Sequence, residues 1–334
     1  MSLGSIILTC LGALLLLFVL YILFARYYFN GGFYRRYCDH ITTTLHGKTA
    51  IITGGNAGIG KETAIDFARR GARVIIGCRN PKKATEAIKV IQRRSGSSNV
   101  VYIPLELSDQ DSVREFAKTI LKQESRIDYL INNAGIGKST KGHRTKEGYN
   151  MVFAVNHFGH FLLTMLLLDR LKESAPSRIV NVSSINHTRV KEGDLYFTPK
   201  DAEGRIYPGL REYDRSKLAN VLFTKELARQ LEGSGVTTYS LHPGAIRTSI
   251  VDTIKETTQM SLSMYWFIIV FFWLMGSDER AGAQTTIYCA LEESITHLSG
   301  CYFDNCHVAK GNKLADDNGL AKKLWDVSCQ ATGL

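Results

Sequence analysis

The stretch TGGNAGIG, Thr53 to Gly60, lies between the apolar run KTAIIT and the helix-like run IGKETAIDFARRG. Glycine accepts positive φ angles and lets the backbone approach a phosphate closely. A pyrophosphate at such a turn is met by unpaired backbone N–H groups and by the positive end of the helix dipole. Because the turn joins a strand to a helix, it predicts dinucleotide binding.

The alternation of apolar and helical segments continues beyond this turn. The runs RVIIGC, VVYIPL, DYLINN, RIVNVS and VTTYSLHP are typical of buried strands, helical segments separate them, and GCYFD is the expected last strand. Short apolar strands separated by helices predict a parallel sheet covered on both faces. We therefore predict an α/β fold, a doubly wound Rossmann-type parallel sheet of about seven strands in a single domain, with an N-terminal transmembrane helix.

The N-terminal segment Leu3 to Phe24 is uncharged over 22 residues. At about 1.5 Å per residue it is long enough to cross about 30 Å of hydrocarbon. It lacks the basic region and the small-residue cleavage site of a signal peptide, so we predict a retained membrane anchor. Arg26, Arg35 and Arg36 follow it, and the positive-inside rule places the remainder of the chain on the cytosolic side.

Composition restricts the partners of the chain. The formal net charge is +10, from 41 basic and 31 acidic residues, but the basic residues are scattered and no basic motif with interleaved aromatic residues occurs. This argues against a nucleic-acid partner and favours a membrane surface or a phosphorylated cofactor. Seven scattered cysteines indicate reduced thiols, and Cys301, Cys306 and His307 lack a second ligand pair, so no metal site is predicted.

The tip of the second predicted strand indicates which dinucleotide binds. NAD-binding sheets usually carry an acidic residue there to hold the ribose 2′-hydroxyl, whereas this chain has Gly77, Cys78 and Arg79. Arg79, together with Lys61 after the glycine turn, is predicted to pair with the 2′-phosphate of NADP. The alternative is a solvated surface arginine.

The stretch YDRSK places Tyr213 and Lys217 one helical turn apart on the same face. Carbonyl reduction needs a hydride and a proton, and a tyrosine with a pKa of about 10 exchanges protons poorly at neutral pH unless a cation lowers that pKa. Lys217 is placed to do so. At the end of the fifth strand, NVSS offers Ser183 and Ser184 to hold the carbonyl oxygen.

From Leu45 onward the chain resembles the short-chain dehydrogenase/reductase family. TGGNAGIG fits the TGxxxGxG motif of that family, NNAG its motif after strand four, and YDRSK its YxxxK motif. By this resemblance Tyr213 is the acid/base and Ser184 orients the carbonyl. Lys217 then binds the nicotinamide ribose and lowers the pKa of the tyrosine, and Asn156 supports a proton-relay water.

The resemblance also implies a cofactor-binding set. Thr248 and the turn after strand six would meet the nicotinamide end, and Glu106 stands where the family usually has an aspartate near the adenine. The set comprises Gly54, Asn56, Gly58, Ile59, Gly60, Arg79, Leu107, Asn133, Ala134, Gly135, Tyr213, Lys217, Pro243, Gly244 and Thr248.

Within the family, NHFGHFLLT, the stretch from SKLANVLF to LHPG, and KKLWDVSC resemble the membrane-anchored retinol dehydrogenases, NADPH-dependent retinal reductases. This implies an NADP(H) cofactor, a retinoid-like lipophilic substrate and the endoplasmic reticulum membrane, with a mitochondrial membrane as alternative. Residues 1–45 would form the anchor and linker, and 46–334 the catalytic domain. A steroid or other lipid carbonyl reductase, and a non-catalytic dinucleotide-binding membrane scaffold, are the competing hypotheses.

The segment 257–277 is uncharged. A full membrane crossing there would separate the last strand from its sheet, so we predict that the segment covers the substrate pocket and touches the membrane. Trp266, Phe267 and Phe271, with Ser184, would contact the substrate. A core helix or a contact in a homodimer is the alternative.

Several histidines lie beside the motifs. Tyr213 and Ser184 already supply the proton and the hydrogen bond that the reaction needs. We therefore expect ordinary packing or hydrogen bonding, and not a step of the reaction, for His157, His160, His187 and His242.

Overall fold

A computed structural model of the chain describes residues 3–29, 40–137, 144–195, 197, 210–244, 246 and 278–334. Several residues of the sequence predictions lie outside this described part. They are Arg35, Arg36, Thr248 and the segment 257–277 with its Trp266, Phe267 and Phe271.

The described strands form one sheet with the order β3-β2-β1-β4-β5-β6-β7-β8. Strands β1 to β7 pair in parallel, and β8 pairs with β7 in antiparallel fashion. The predicted parallel sheet is confirmed, and the short β8 is an addition that the sequence did not indicate. The strands are β1 Thr49–Thr53, β2 Arg73–Cys78, β3 Val100–Pro104, β4 Tyr129–Asn132, β5 Ser177–Val182, β6 Val236–His242, β7 Tyr302–Asp304 and β8 His307–Val308.

Helices connect the parallel strands. Those described are α1 Leu3–Phe29, α2 Gly58–Arg69, α3 Pro81–Ser95, α4 Gln110–Gln123, α5 Met151–Glu173, α6 Leu210–Gln230, α7 Glu279–Leu291 and α8 Asn318–Thr332. Within α5, the turn Ala154–Phe158 is π-helical. Short 3₁₀ turns cover Ile185–Arg189, Glu192–Asp194, Glu293–Leu298 and Lys313–Asp316.

Both faces of the sheet are buried. Along β1, Ile51 packs with residues of α4, α5 and α6, while its neighbour Ile52 packs with residues of α2 and α7 on the opposite face. All five residues of β1 are buried. A strand covered on both faces is a continuous apolar run in the sequence, and runs of this kind separated by helical segments predicted the doubly wound arrangement.

Two apolar helices differ in their surroundings. Among the described residues, Met151–Glu173 is the helix long and apolar enough to cross a membrane, but 83% of its most apolar window is buried, so it is a core helix. The N-terminal helix α1 contains a shorter apolar run, Thr9–Ala25. There Leu14 and Phe18 are 63% and 59% exposed, an arrangement that is unfavourable in water.

The order of the strands in the sheet indicates where a ligand would bind. The chain runs outward from β1 to β3 and then returns to add β4 on the other side of β1. Ligands of open α/β sheets bind at such a switch point, in the crevice beyond the carboxyl ends of the strands. The glycine turn follows β1 and the NNAG stretch overlaps the end of β4, so both predicted cofactor motifs meet at this crevice.

Gly159 in α5 allows a close approach that supports this crevice. A Cβ atom at Gly159 would lie 2.3 Å from the carbonyl oxygen of Leu107, in the loop after β3. We predict that Gly159→Ala lowers the free energy of unfolding by about 1–3 kcal/mol, although alanine favours helices. Urea denaturation measures this. Gly193→Ala, where an added Cβ meets no atom within 4 Å, is the control, and equal effects of both substitutions would contradict the prediction.

Candidate active site

The glycine turn after β1 has the shape that a pyrophosphate needs. Gly54 and Gly58 have φ angles of +68° and +55°. A Cβ atom at Gly54 would lie 3.0 Å from the Cα of Ala134, and one at Gly60 would lie 2.5 Å from Nδ2 of the Asn133 side chain. At the start of α2, Ala57 provides no side-chain cap for the first backbone N–H groups. The turn therefore presents N–H groups and a helix dipole to an anion, and these residues fit a dinucleotide.

Thr53, the last residue of β1, ties the glycine turn to the end of β4. Its hydroxyl oxygen accepts hydrogen bonds from the backbone N–H groups of Asn133 and Ala134, both at 2.9 Å. The Asn133 side chain returns a bond of 2.8 Å to the Thr53 carbonyl oxygen. The Thr53 hydroxyl also lies 2.8 Å from Nε2 of His160, whose Nδ1 is 3.2 Å from the carbonyl oxygen of Asn156. One buried hydroxyl thus joins β1, β4 and α5.

Arg79 and Lys61, the two predicted phosphate-binding cations, lie beside different carboxylates. Arg79, after β2, is 70% exposed, and its Nη1 is 4.0 Å from Oε2 of Glu106. Lys61 lies 3.3 Å from Glu279 of α7, and its pairing with a 2′-phosphate stays a prediction. Glu106, the residue that departs from the family pattern, accepts a 2.8 Å bond from the Ser108 hydroxyl and stays at the tip of β3.

The two serines after β5 point in different directions. The Ser183 hydroxyl donates to the backbone carbonyl oxygen of Lys217 at 2.7 Å and is buried. The Ser184 hydroxyl accepts from the Asn186 N–H at 3.3 Å and lies beside the Tyr213 side chain, whose pKa it lowers. Of the two serines, Ser184 is therefore placed beside the predicted acid/base, as the family resemblance implies.

Tyr213 and Lys217 lie on one face of α6, with Nζ of the lysine 5.5 Å from the centre of the tyrosine ring. Burial raises the pKa of Tyr213, the Ser184 hydrogen bond lowers it, the charge of Asp214 raises it, and the net pKa is above the usual value. Lys217 donates to the Val182 carbonyl oxygen at 2.9 Å, and burial lowers its pKa to about 8. The pKa lowering that the sequence predicted for Tyr213 is not seen here.

Asn156 lies in the π-helical turn of α5. Its Oδ1 accepts from the N–H of Ile136 at 2.8 Å, and its Nδ2 donates to the Ser216 hydroxyl at 3.0 Å. Ser216 donates in turn to the Tyr213 carbonyl oxygen at 2.7 Å. A Cβ atom at Gly135 would lie 3.3 Å from both Asn156 Oδ1 and Lys217 Nζ. The four predicted catalytic residues thus converge beside the end of β4, and π-helical turns are often found at functional sites.

Other predicted cofactor residues line the same edge of the sheet. Pro243 and Gly244 follow β6, and Gly244 has a φ angle of +91°. Asn56 and Ile59 lie in or beside the glycine turn, while Leu107 packs its backbone against Gly159.

Two contributors were missed from the sequence: Thr53 and Ser216. Thr53 and Ser216 stand inside quoted motifs, so their positions could have suggested a role. His160 was expected to make ordinary hydrogen bonds, and it does so with Thr53 and with the Asn156 backbone.

Comparison with known proteins identifies the family. Residues 48–259 match the family model described as short chain dehydrogenase. Retinol dehydrogenase 11 of Mus musculus is 47% identical over 290 residues, which are 87% of this chain and 88% of that protein. Retinol dehydrogenase 12 of Homo sapiens is 43% identical over 309 residues, 92% of each chain. Dehydrogenase/reductase SDR family member 13 of Bos taurus is 46% identical over 87% of this chain and 74% of its own length.

Solved structures share the fold. The crystal structure of an uncharacterised protein from Mycobacterium paratuberculosis aligns with a TM-score of 0.67 and 32% identity, covering 87% of this chain and 95% of its own. L-Sorbose reductase from Gluconobacter frateurii, in complex with NADPH and L-sorbose, aligns with a TM-score of 0.62 and 21% identity, covering 81% and 98%. At that identity the second alignment bears on the fold alone.

The Thr53 hydroxyl provides a test of the site geometry. We predict that Thr53→Val lowers the free energy of unfolding by about 1–3 kcal/mol, because two backbone N–H groups lose their acceptor. The same change should weaken dinucleotide binding, since the glycine turn loses its tie to β4. Urea denaturation and NADPH fluorescence titration measure the two effects. Thr53→Ser keeps the hydroxyl and should retain both properties, and an equal loss in the serine variant would show that the hydroxyl is not responsible.

Proposed function

Because the chain belongs to the short chain dehydrogenase family, we propose that it is an NADP(H)-dependent oxidoreductase that interconverts retinal and retinol, or a similar lipophilic aldehyde and alcohol. Family membership makes the chain an oxidoreductase with a nicotinamide dinucleotide cofactor. The observation that carries the proposal is the convergence of Ser184, Tyr213, Lys217 and Asn156 beside a turn that fits a pyrophosphate. The relatives named retinol dehydrogenase, 41–47% identical, support the substrate class.

The proposed chemistry divides between cofactor and protein. When bound, the nicotinamide supplies the hydride for reduction or accepts it in oxidation. In reduction, the Tyr213 hydroxyl donates the proton to the carbonyl oxygen, and the Ser184 hydroxyl holds that oxygen and stabilises the charge that develops on it. Burial raises the pKa of Tyr213, so the hydroxyl is protonated at neutral pH, and a nearby cation would have to offset this rise for rapid proton exchange. Alcohol oxidation uses the same groups in reverse.

Lys217 and Asn156 would support this proton transfer. The Lys217 ammonium lies 3.3 Å from where a Cβ atom at Gly135 would stand, at the end of the NNAG stretch, and would hold the nicotinamide ribose. Asn156 is fixed by the Ile136 backbone and by Ser216, so it holds the end of the NNAG stretch and helix α6 at a constant separation. Such fixed positioning of reacting groups accounts for a large part of enzymatic rate enhancement.

A membrane location is part of the proposal. The exposed apolar side chains of α1, from Leu11 to Phe24, would be buried in lipid, which removes the cost of exposing them to water. Residues 1–45 would then be anchor and linker, and 46–334 the catalytic domain. We propose the endoplasmic reticulum membrane with the catalytic domain in the cytosol.

The proposed activity is tested by NADPH oxidation in the detergent-solubilised protein with all-trans-retinal, a steroid ketone and a medium-chain aldehyde. We expect turnover selective for retinal and its loss by a factor of about 10² or more in Tyr213→Phe, which lacks the proton donor. Selectivity for the steroid ketone would favour a steroid reductase. Tight NADPH binding without turnover of any of the three would favour a non-catalytic scaffold, and full activity of Tyr213→Phe would remove the mechanism.

The preference for NADP(H) is tested at Arg79. We predict that Arg79→Ala raises the KM for NADPH about tenfold and leaves the KM for NADH unchanged, because a charged hydrogen bond to the 2′-phosphate is lost. Arg93→Ala removes another exposed arginine, from α3, and serves as the control. An unchanged KM for NADPH in Arg79→Ala would leave Arg79 as a solvated surface residue.

A further inference from the structure

His187 lies in the 3₁₀ turn that begins directly after Ser184. Its side chain is fully buried, and both ring nitrogens meet backbone groups. Nδ1 is 2.6 Å from the carbonyl oxygen of Ser184, and Nε2 is 3.1 Å from the backbone nitrogen of Asn312. The ring therefore stands between the predicted catalytic serine and a loop 125 residues later in the chain.

The partners determine which nitrogen carries the proton. The backbone N–H of Asn312 can only donate, so Nε2 must accept and cannot carry a hydrogen. In the neutral ring the hydrogen is then on Nδ1, which donates to the Ser184 carbonyl oxygen. Burial lowers the pKa of His187, the Ser184 contact raises it, and the net lowering favours this neutral form.

The loop that contains Gly311 and Asn312 packs closely around the His187 ring and its turn. The Asn312 side chain donates to the carbonyl oxygens of His187 and Val190, both at 2.8 Å. A Cβ atom at Gly311 would lie 2.9 Å from Nε2, so a side chain there would collide with the ring. On its other side, the ring packs against Tyr302 of β7 at a centroid distance of 4.7 Å.

We propose that His187 is a positioning residue that couples the loop 311–312 to Ser184. By holding the Ser184 carbonyl oxygen, the ring fixes the backbone from which the Ser184 hydroxyl reaches Tyr213. The C-terminal part of the chain therefore helps to set the geometry of proton transfer without touching the substrate. This inference rests on the proposed function, because it assigns His187 a role in that reaction.

Directional hydrogen bonds distinguish this role from packing. An aromatic ring of similar size would fill the same space, but it would neither donate to Ser184 nor accept from Asn312. His157 provides a comparison within the chain, since it is also fully buried and also meets the C-terminal region, through the Ser328 hydroxyl at 2.9 Å. Its ring makes no hydrogen bond to Ser184.

The test uses two substitutions that each keep half of the arrangement. Asparagine at 187 places an amide N–H where Nδ1 stands and retains the donor to Ser184. Glutamine places an amide oxygen near the Nε2 position and retains the acceptor for Asn312. Ser328→Ala breaks the His157 contact and is the control for a lost hydrogen bond to the C-terminal region.

We measure kcat, the KM for the carbonyl substrate, NADPH affinity and hydrogen exchange of the amides of Ile185–Arg189, all in the full-length protein. We expect His187→Gln to lower kcat about 10²-fold with NADPH affinity unchanged, and to speed exchange in this turn. His187→Asn should keep a kcat near that of the wild type. Ser328→Ala should change neither kcat nor exchange in the turn.

Two results would overturn the inference. One is wild-type kcat and exchange in His187→Gln. The other is an equal loss of kcat in the asparagine and glutamine variants, which would mean that the bond to Ser184 does not set the rate. Failure of the proposed function is a separate observation, since the wild type would then not reduce retinal. The exchange comparison needs no substrate and still decides whether His187 holds the Ser184 turn.

Discussion

The site depends on one constraint, which is that the loops after β1 and β4 approach each other at the centre of the sheet. The Thr53 hydroxyl maintains this approach by accepting two backbone N–H groups from the β4 end while it contacts His160 of α5. Glycines at 54 and 60 permit it, because a Cβ atom at either position would collide with the NNAG loop. The glycine turn, a strand end and a core helix are thereby held together.

Hydrogen bonds from α5 and α6 connect this junction to the proposed catalytic residues. The π-helical turn of α5 directs Asn156 toward the Ile136 backbone and toward Ser216, which is bonded to the backbone of Tyr213. The orientation of Tyr213, the proposed acid/base, is therefore linked to the cofactor crevice through a continuous chain of hydrogen bonds. In this structure burial dominates the electrostatics. It raises the pKa of Tyr213 and lowers that of Lys217 to about 8.

Much of the fold could be predicted from the sequence because its signals are local. Apolar runs of strand length identified the parallel strands through β7, and motifs of a few residues located the glycine turn and the catalytic helix. Contacts between distant segments could not be predicted in this way. The pairing of Lys61 with Glu279 joins helices 218 positions apart, and the contact of His187 with Asn312 spans 125 positions, and neither leaves a periodic pattern. The different directions of Ser183 and Ser184 also depend on where α6 packs.

In the proposed reaction, reduced nicotinamide bound in the crevice supplies a hydride to an aldehyde carbon while Tyr213 protonates the oxygen. The most direct measurement is the mass of the retinol formed from all-trans-retinal with NADPH deuterated at the transferable position of the nicotinamide. We expect one deuterium on the former aldehyde carbon in the wild-type product and almost no product in Tyr213→Phe. Retinol without deuterium, or equal labelled product from both proteins, would contradict it.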